Sequence, residues 1–278
     1  MALTELQRNV CRQLAHNRIA SGEAYLAGGA TLNELIAAPR ISRDVDLFHD
    51  TEEALAATWD ADRDVLVKSG FSITVLRERP AFVEARVALK DQSVLLQWVR
   101  DSAYRFFPLV EHDELGLVLH PFDLATNKVL ALVGRLEVRD WVDVIECDAS
   151  IQPLGYLVWA ACGKDPGFSP EAILEHAGRS AHYSAEEVRE LSFAGEPPDP
   201  AVLSRRWHRM YESAKRLVEL LPPDSAGKCV LGQDRALYRE DALALVEALG
   251  RDEIVFHAGS IRGAFPTILD DARGEAGP

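Results

Sequence analysis

The sequence predicts an α+β fold, with a mixed sheet and helices in residues 1–150 followed by a mainly helical region in 151–278. Three observations carry that expectation. Asp44 and Asp46 alternate with Val45 and Leu47 in DVDLFH, the period-two pattern of a strand. Three extended runs, FSITVLRE, AFVEARVAL and SVLLQWV, then follow one another, with turn signals at Arg79-Pro80 and Asp91-Gln92. Beyond about Ser150 the apolar residues recur at helical spacing between prolines and glycines.

Taken in order, Thr4 and Gln7 form a capping box, and Leu6, Val10 and Leu14 give an amphipathic helix from 4 to about 20. A short strand, AYLA, runs into Gly28-Gly29 and a brief helix from Ala30 to Ile36, which Pro39 ends. DVDLFH is the second strand, and a helix from about Glu52 to Lys68 stops at Gly70. After the three extended runs, LGLVLH is a further short strand, and Pro121 opens a helix through DLATNKVLALV. In the second part, Ser169-Pro170 and Ser184 with Glu187 start helices, and EPPDP is a rigid connector. Leu203, Trp207, Met210, Tyr211, Ala214, Leu217, Val218 and Leu221 form the stripe of a core helix, and a last helix spans about Leu237 to Leu249. Trp98, Trp141 and Trp159 are expected in the core, and the tail DDARGEAGP is expected to be disordered.

A chain of 278 residues with 47% hydrophobic side chains has enough apolar material for a full core. Its longest clean apolar run, LGYLVWAAC, falls far short of the roughly 20 residues of a membrane span. Charged residues recur through the N-terminal segment, unlike a signal peptide. Cys11, Cys147, Cys162 and Cys229 are widely spaced, so reduced thiols in a cytoplasmic protein are expected. The net charge of −14 excludes a broad nucleic-acid surface, since phosphate binding draws on Lys and Arg.

Two carboxylates leaving one face of a strand repel each other, and a hard divalent cation that also carries a substrate phosphate resolves the conflict. Asp44 and Asp46 are therefore candidate Mg²⁺ ligands. Upstream, Gly28-Gly29 lies between a strand and a helix, where backbone N–H groups can approach a phosphate closely. Strand, glycine turn, short helix and DxD together resemble motif I of the DNA polymerase β-like nucleotidyltransferase superfamily. In a second stretch, Lys128, Arg135 and Arg139 would share one face of an unbroken helix, with Asp140 and Asp143 as an i, i+3 pair nearby. The blander alternatives are a solvated strand end beside Arg43 and a surface helix with weak ion pairs.

The pairing of "GG…RISRDVDLF" with "DLATNK…AL…R…RDWVD" resembles the AbiEii family of nucleotidyltransferases, known as toxin components of type IV toxin-antitoxin systems. The resemblance covers about residues 23–148 and implies a polymerase β-like catalytic fold that uses an NTP and Mg²⁺, with an added helical region. By position it implies Gly28 and Gly29 for the triphosphate, Asp44 and Asp46 for the metal, and Lys128 for a phosphate. Asp143 with Asp140 are the acidic residues of the later motif, and Arg43 and Arg135 join the nucleotide contacts. RNA or tRNA stands as the candidate acceptor and a cognate antitoxin as the candidate partner.

One position departs from the superfamily pattern. Where a third carboxylate is expected on a later strand, this chain has Gln97, which cannot serve as a base. Asp101 or a carboxylate of the later motif is left to substitute. Gln97 also keeps open a non-catalytic member that binds nucleotide or a partner, and a small-molecule nucleotidyltransferase would share the same metal site. Arg205, Arg206, His208, Arg209, Lys215 and Arg216 form a local basic band that either faces an RNA backbone or is a solvated helix surface.

Overall fold

The computed structural model describes residues 2–179 and 183–266, so the tail DDARGEAGP lies outside the described residues. The first part runs α1 (Glu5–Ser21), β1 (Ala24–Ala27), α2 (Gly28–Leu35), β2 (Asp44–His49), α3 (Glu52–Lys68), β3 (Ser72–Arg79), β4 (Phe82–Leu89) and β5 (Gln92–Arg100). It continues with β6 (Tyr104–Arg105), β7 (Val110–His112), β8 (Gly116–Val118), α4 (Pro121–Arg135) and α5 (Val138–Ser150). The remainder is α6 (Leu154–Ala161), α7 (Pro170–Arg179), α8 (Ala185–Arg189), α9 (Pro200–Leu220), a 3₁₀ turn at Pro223–Ser225, β9 (Lys228–Gly232), α10 (Ala242–Gly250), β10 (Ile254–Ala258) and β11 (Ser260–Ile261).

Local chemistry sets several of these boundaries. Thr4 and Gln7 make both halves of a capping box, Thr51 caps α3 through Ala54 N–H, and Ser184 with Glu187 repeats the box at α8. By contrast, α2 starts at Ala27 with no side-chain cap, which leaves its first N–H groups open.

A seven-stranded mixed sheet in the order β3-β4-β5-β2-β1-β8-β7 forms the platform. β2 is central, parallel to β5 and antiparallel to β1. Its alternation splits two environments. Val45 and Leu47 point into an apolar cluster with Leu14 of α1 and Leu55 and Trp59 of α3, while Asp44, Asp46 and Phe48 leave on the opposite face. On that side a larger cluster runs from Tyr25 to Leu245, continuous across position 150. Its centre is α6, buried along its whole length, where Gly155 gives α9 a close approach at Leu217. Trp98, Trp141 and Trp159 are buried as expected, and all four cysteines are free and buried.

Two expectations need correction. Lys128, Arg135 and Arg139 do not lie on one unbroken helix: α4 ends at Arg135, Leu136 turns left-handed at φ +54°, and α5 begins at Val138. In an unbroken helix Lys128 and Asp140 would be about 18 Å apart along the axis, whereas the turn brings them to 2.9 Å. The last helix starts at Ala242 rather than Leu237, because the Asp241 side chain caps Leu243 and Ala244 N–H while Leu237 bridges to Leu231. The second part is mainly helical, as expected, and adds one antiparallel strand pair, β9 with β10. β11 then pairs with β6, bringing the end of the described chain back onto the first part.

Candidate active site

A cavity of about 650 Å³ opens on the Asp44–Asp46 face of the sheet, against α2 and α4. Both carboxylates line it, together with Gly28, Gly29, Gln97, Lys128 and Arg135. Asp44 accepts a 2.9 Å hydrogen bond from Ser42 Oγ, and Gln7 of α1 donates to the Ser42 carbonyl at 2.8 Å. Asp46 pairs in register with Ala27 on β1 and Gln97 on β5. Its carboxylate accepts no hydrogen bond among the described residues. Burial, and then the neighbouring Asp44 charge, push its pKa up to about 7.

The glycine pair has a distinct role at each position. Gly28 adopts φ +71°, and a Cβ there would lie 1.8 Å from Asp46 Oδ2, so only glycine leaves room for that carboxylate. A Cβ on Gly29 would meet Arg40 Nη2 at 2.6 Å. The backbone at the open start of α2 is thus pressed against both the Asp46 carboxylate and a group of cations.

Those cations stand on a buried acidic floor. Arg40 grips Asp143 through Nε at 2.6 Å and Nη2 at 2.7 Å. Lys128 Nζ reaches Asp140 at 2.9 Å and Asp143 at 3.1 Å. Arg135 forks onto Asp140 at 3.0 and 3.2 Å, and Asn33 completes Asp143 at 3.2 Å. The side chains of Asp140 and Asp143 are 0% and 1% exposed. Burial opposes the Lys128 ammonium, but Asp143 and Asp140 outweigh it and raise its pKa above the ordinary lysine range. Burial likewise opposes the Asp143 carboxylate, and Lys128 and Arg40 overcome it and lower its pKa. With three cations on two carboxylates, the group retains one positive charge beside the cavity. Lys128 has three N–H donors and spends two on these aspartates, which leaves one for a ligand.

The fold therefore brings Gly28, Gly29, Asp44, Asp46, Lys128 and Arg135 together at one cavity. Asp140 and Asp143 are placed beneath it, holding the cations rather than lining the wall. Arg43 is exposed and outside the lining, and the neighbouring basic side chain that enters is Arg40. Arg40 lay within the RIS segment but carried no helical or strand period to single it out. Ser42, Asn127 and Lys164 also line the cavity and were not anticipated. Lys164 comes from beyond α6 and is anchored by Asp123 Oδ1 and Asn127 Oδ1, each at 2.7 Å; burial lowers its pKa despite Asp123. Asp101 lies on the wall and accepts from Ser102 N–H at 2.7 Å.

The donor set around Asp44 and Asp46 fits a hard cation. It offers adjacent carboxylate oxygens with unused lone pairs, opened toward a cavity large enough for a nucleotide. Among the described residues no group of three or more His, Cys, Asp or Glu side chains joins to hold a metal, so a bound phosphate and water would supply the remaining oxygens. The basic band of α9 is partly neutralised, with Arg206 on Glu146 and Lys215 on Glu212, each at 2.7 Å. Among the described residues no helix is long and apolar enough to cross a membrane.

No protein-family profile matches the chain, and no curated protein matches it. Among solved structures it is similar to JHP933 from Helicobacter pylori, with a TM-score of 0.47 and 16% identity over 78% of this chain and 94% of that one. It is also similar to MenT4, a nucleotidyltransferase toxin from Mycobacterium tuberculosis H37Rv, with a TM-score of 0.47 and 16% identity over 79% and 85% of the two chains. The Megavirus polyadenylate synthase aligns at a TM-score of 0.38 and 12% identity, over 52% of this chain and 32% of that one.

Proposed function

We propose that this protein is a nucleotidyltransferase that moves a nucleotide from an NTP to an acceptor, with RNA as the first acceptor class to test. The observation that carries the reading is the meeting, in one cavity, of the Asp44–Asp46 pair, the uncapped start of α2 and the Lys128 group. Acceptor-only oxygens for a cation sit beside N–H donors and a net positive charge for phosphates.

In this reading Asp44 and Asp46 hold Mg²⁺, which when bound neutralises charge on the phosphate oxygens. Lys128, Arg40 and Arg135 face the triphosphate, held in place by Asp140 and Asp143. Gly28 and Gly29 let the backbone N–H groups of α2 approach it. Gln97 cannot take a proton from the attacking hydroxyl. Asp101, the one carboxylate on the cavity wall outside the pair among the described residues, is the candidate for that task. Residues 1–150 then form the catalytic part, and the region 151–278 contributes Lys164 to the cavity. A cytoplasmic setting and a cognate antitoxin belong to the same reading.

The test incubates the protein with each radiolabelled NTP, Mg²⁺ and total cellular RNA. Labelled RNA from the parent and none from Asp46→Ala, at equal folding, supports the reading. Equal labelling by both ends it. Nucleotide affinity without pyrophosphate release would instead favour a binding module, the alternative that Gln97 supports.

A further inference from the structure

Gln97 is one of a row of three. Asp46 on β2 faces Gln97 on β5, and Gln97 faces Glu84 on β4. Strand alternation places Glu84 on the same sheet face as Phe82, which lines the cavity with Gln97 and Asp46. The Gln97 Nε2 donates to Glu84 Oε1 at 3.0 Å.

That bond settles which way the amide points. An ionised carboxylate only accepts, so the nitrogen of Gln97 must face Glu84 and the carbonyl oxygen must turn away from it. The Gln97 oxygen accepts no hydrogen bond among the described residues, and the neighbour on that side of the row is Asp46. Among the described residues Glu84 has no stronger engagement elsewhere. Its side chain is 14% exposed, and its cationic neighbour, Arg77, is 69% exposed with Nε at 3.8 Å, too far for a hydrogen bond.

We propose that Glu84 is a positioning residue that holds the Gln97 amide so that its oxygen faces the cavity beside Asp46, as a neutral third oxygen for the cation site. The inference rests on the nucleotidyl-transfer reading only for the presence of that cation. It assigns the strand position a function without a carboxylate: an amide oxygen is a competent ligand for a hard cation, and it adds no third negative charge to the crowded Asp44–Asp46 pair.

Mn²⁺ binding to the full chain, followed by calorimetry alongside the melting temperature of each variant, tests this. Glu84→Met removes the acceptor at similar volume and frees the amide to rotate. It is expected to weaken Mn²⁺ binding about 10- to 100-fold, the usual cost of losing a residue that orients a ligand. Glu84→Gln loses the charge but keeps an oxygen that can accept from Gln97, and it is expected to retain most of the affinity. Gln97→Leu, which deletes the oxygen itself, is expected to match Glu84→Met and serves if that variant does not fold. Equal losses in Glu84→Met and Glu84→Gln would show a simple charge effect and overturn the proposal. So would parental affinity in Glu84→Met or Gln97→Leu. A parent that binds no Mn²⁺ would overturn the metal-dependent reading as well, which separates the two failures.

Discussion

Asp143→Ala probes the floor of the site. The substitution removes one carboxylate that receives two bonds from Arg40, one from Lys128 and one from Asn33, at 2.6 to 3.2 Å. Arg40 and Lys128 would remain buried, side by side and with like charge. Breaking a buried ion pair by deleting one partner costs about 3–5 kcal/mol. For a chain of this size each kcal/mol lowers the melting temperature by roughly 2–4 °C, so a fall of roughly 6–20 °C is expected. The damage has a chemical signature, because the exposed excess of positive charge should attract an anion. Pyrophosphate is therefore expected to raise the melting temperature of Asp143→Ala more than that of the parent. Scanning calorimetry of both proteins, with and without pyrophosphate, reads the result. A fall under about 3 °C, or an anion response equal to that of the parent, would refute the account of Asp143 as the counter-charge of a phosphate cradle.

Further outcomes follow from the same geometry. The Asp46 carboxyl has a raised pKa in the folded chain, so its contribution to stability is full below about 4 and is lost as pH rises through about 7. Asp46→Asn should remove that decline and be more stable than the parent at pH 8, by at most about 4 kcal/mol; a lower melting temperature would count against the repulsion between Asp44 and Asp46. For the same reason Mg²⁺ affinity should fall about tenfold per pH unit below about 7, because the cation competes with one proton; titration at pH 6 and pH 8 checks this. Gly28→Ala forces a Cβ onto the Asp46 carboxylate at a positive φ, and both loss of Mg²⁺ binding and a destabilisation of about 1–3 kcal/mol are expected by calorimetry. Arg40→Ala should weaken nucleotide binding while Arg43→Ala, at an exposed position, leaves it unchanged; equal losses in fluorescence titration would return Arg43 to the site.

Much of this arrangement was legible in the sequence because it is local. Thr4 with Gln7 and Thr51 announce their helices through caps, and DVDLFH declares its two faces by alternation alone. What stayed hidden depends on distant partners. Nothing in the side chain of Leu136 announces a left-handed turn, yet that turn folds α5 back and brings Asp140 beneath Lys128. Arg40 has meaning only through Asp143, 103 residues later, and Lys164 reaches the cavity from a segment without a motif. β9 and β10 were missed because each is five residues long and no tight turn joins them. Gln97 was recognised as a departure from pattern, but its neighbour Glu84 becomes visible only once the strands are in register.

The 103-residue span between Arg40 and Asp143 also sets a clock. A ribosome adding about 5–20 residues per second takes roughly 5–20 s to travel from one to the other. For nearly all of that interval the aspartate pair of β2 has been made, but Asp143, the counter-charge of Arg40, has not. β1 is likewise waiting for β8. The cavity beside Asp44 and Asp46 therefore lacks its acidic floor until late in synthesis.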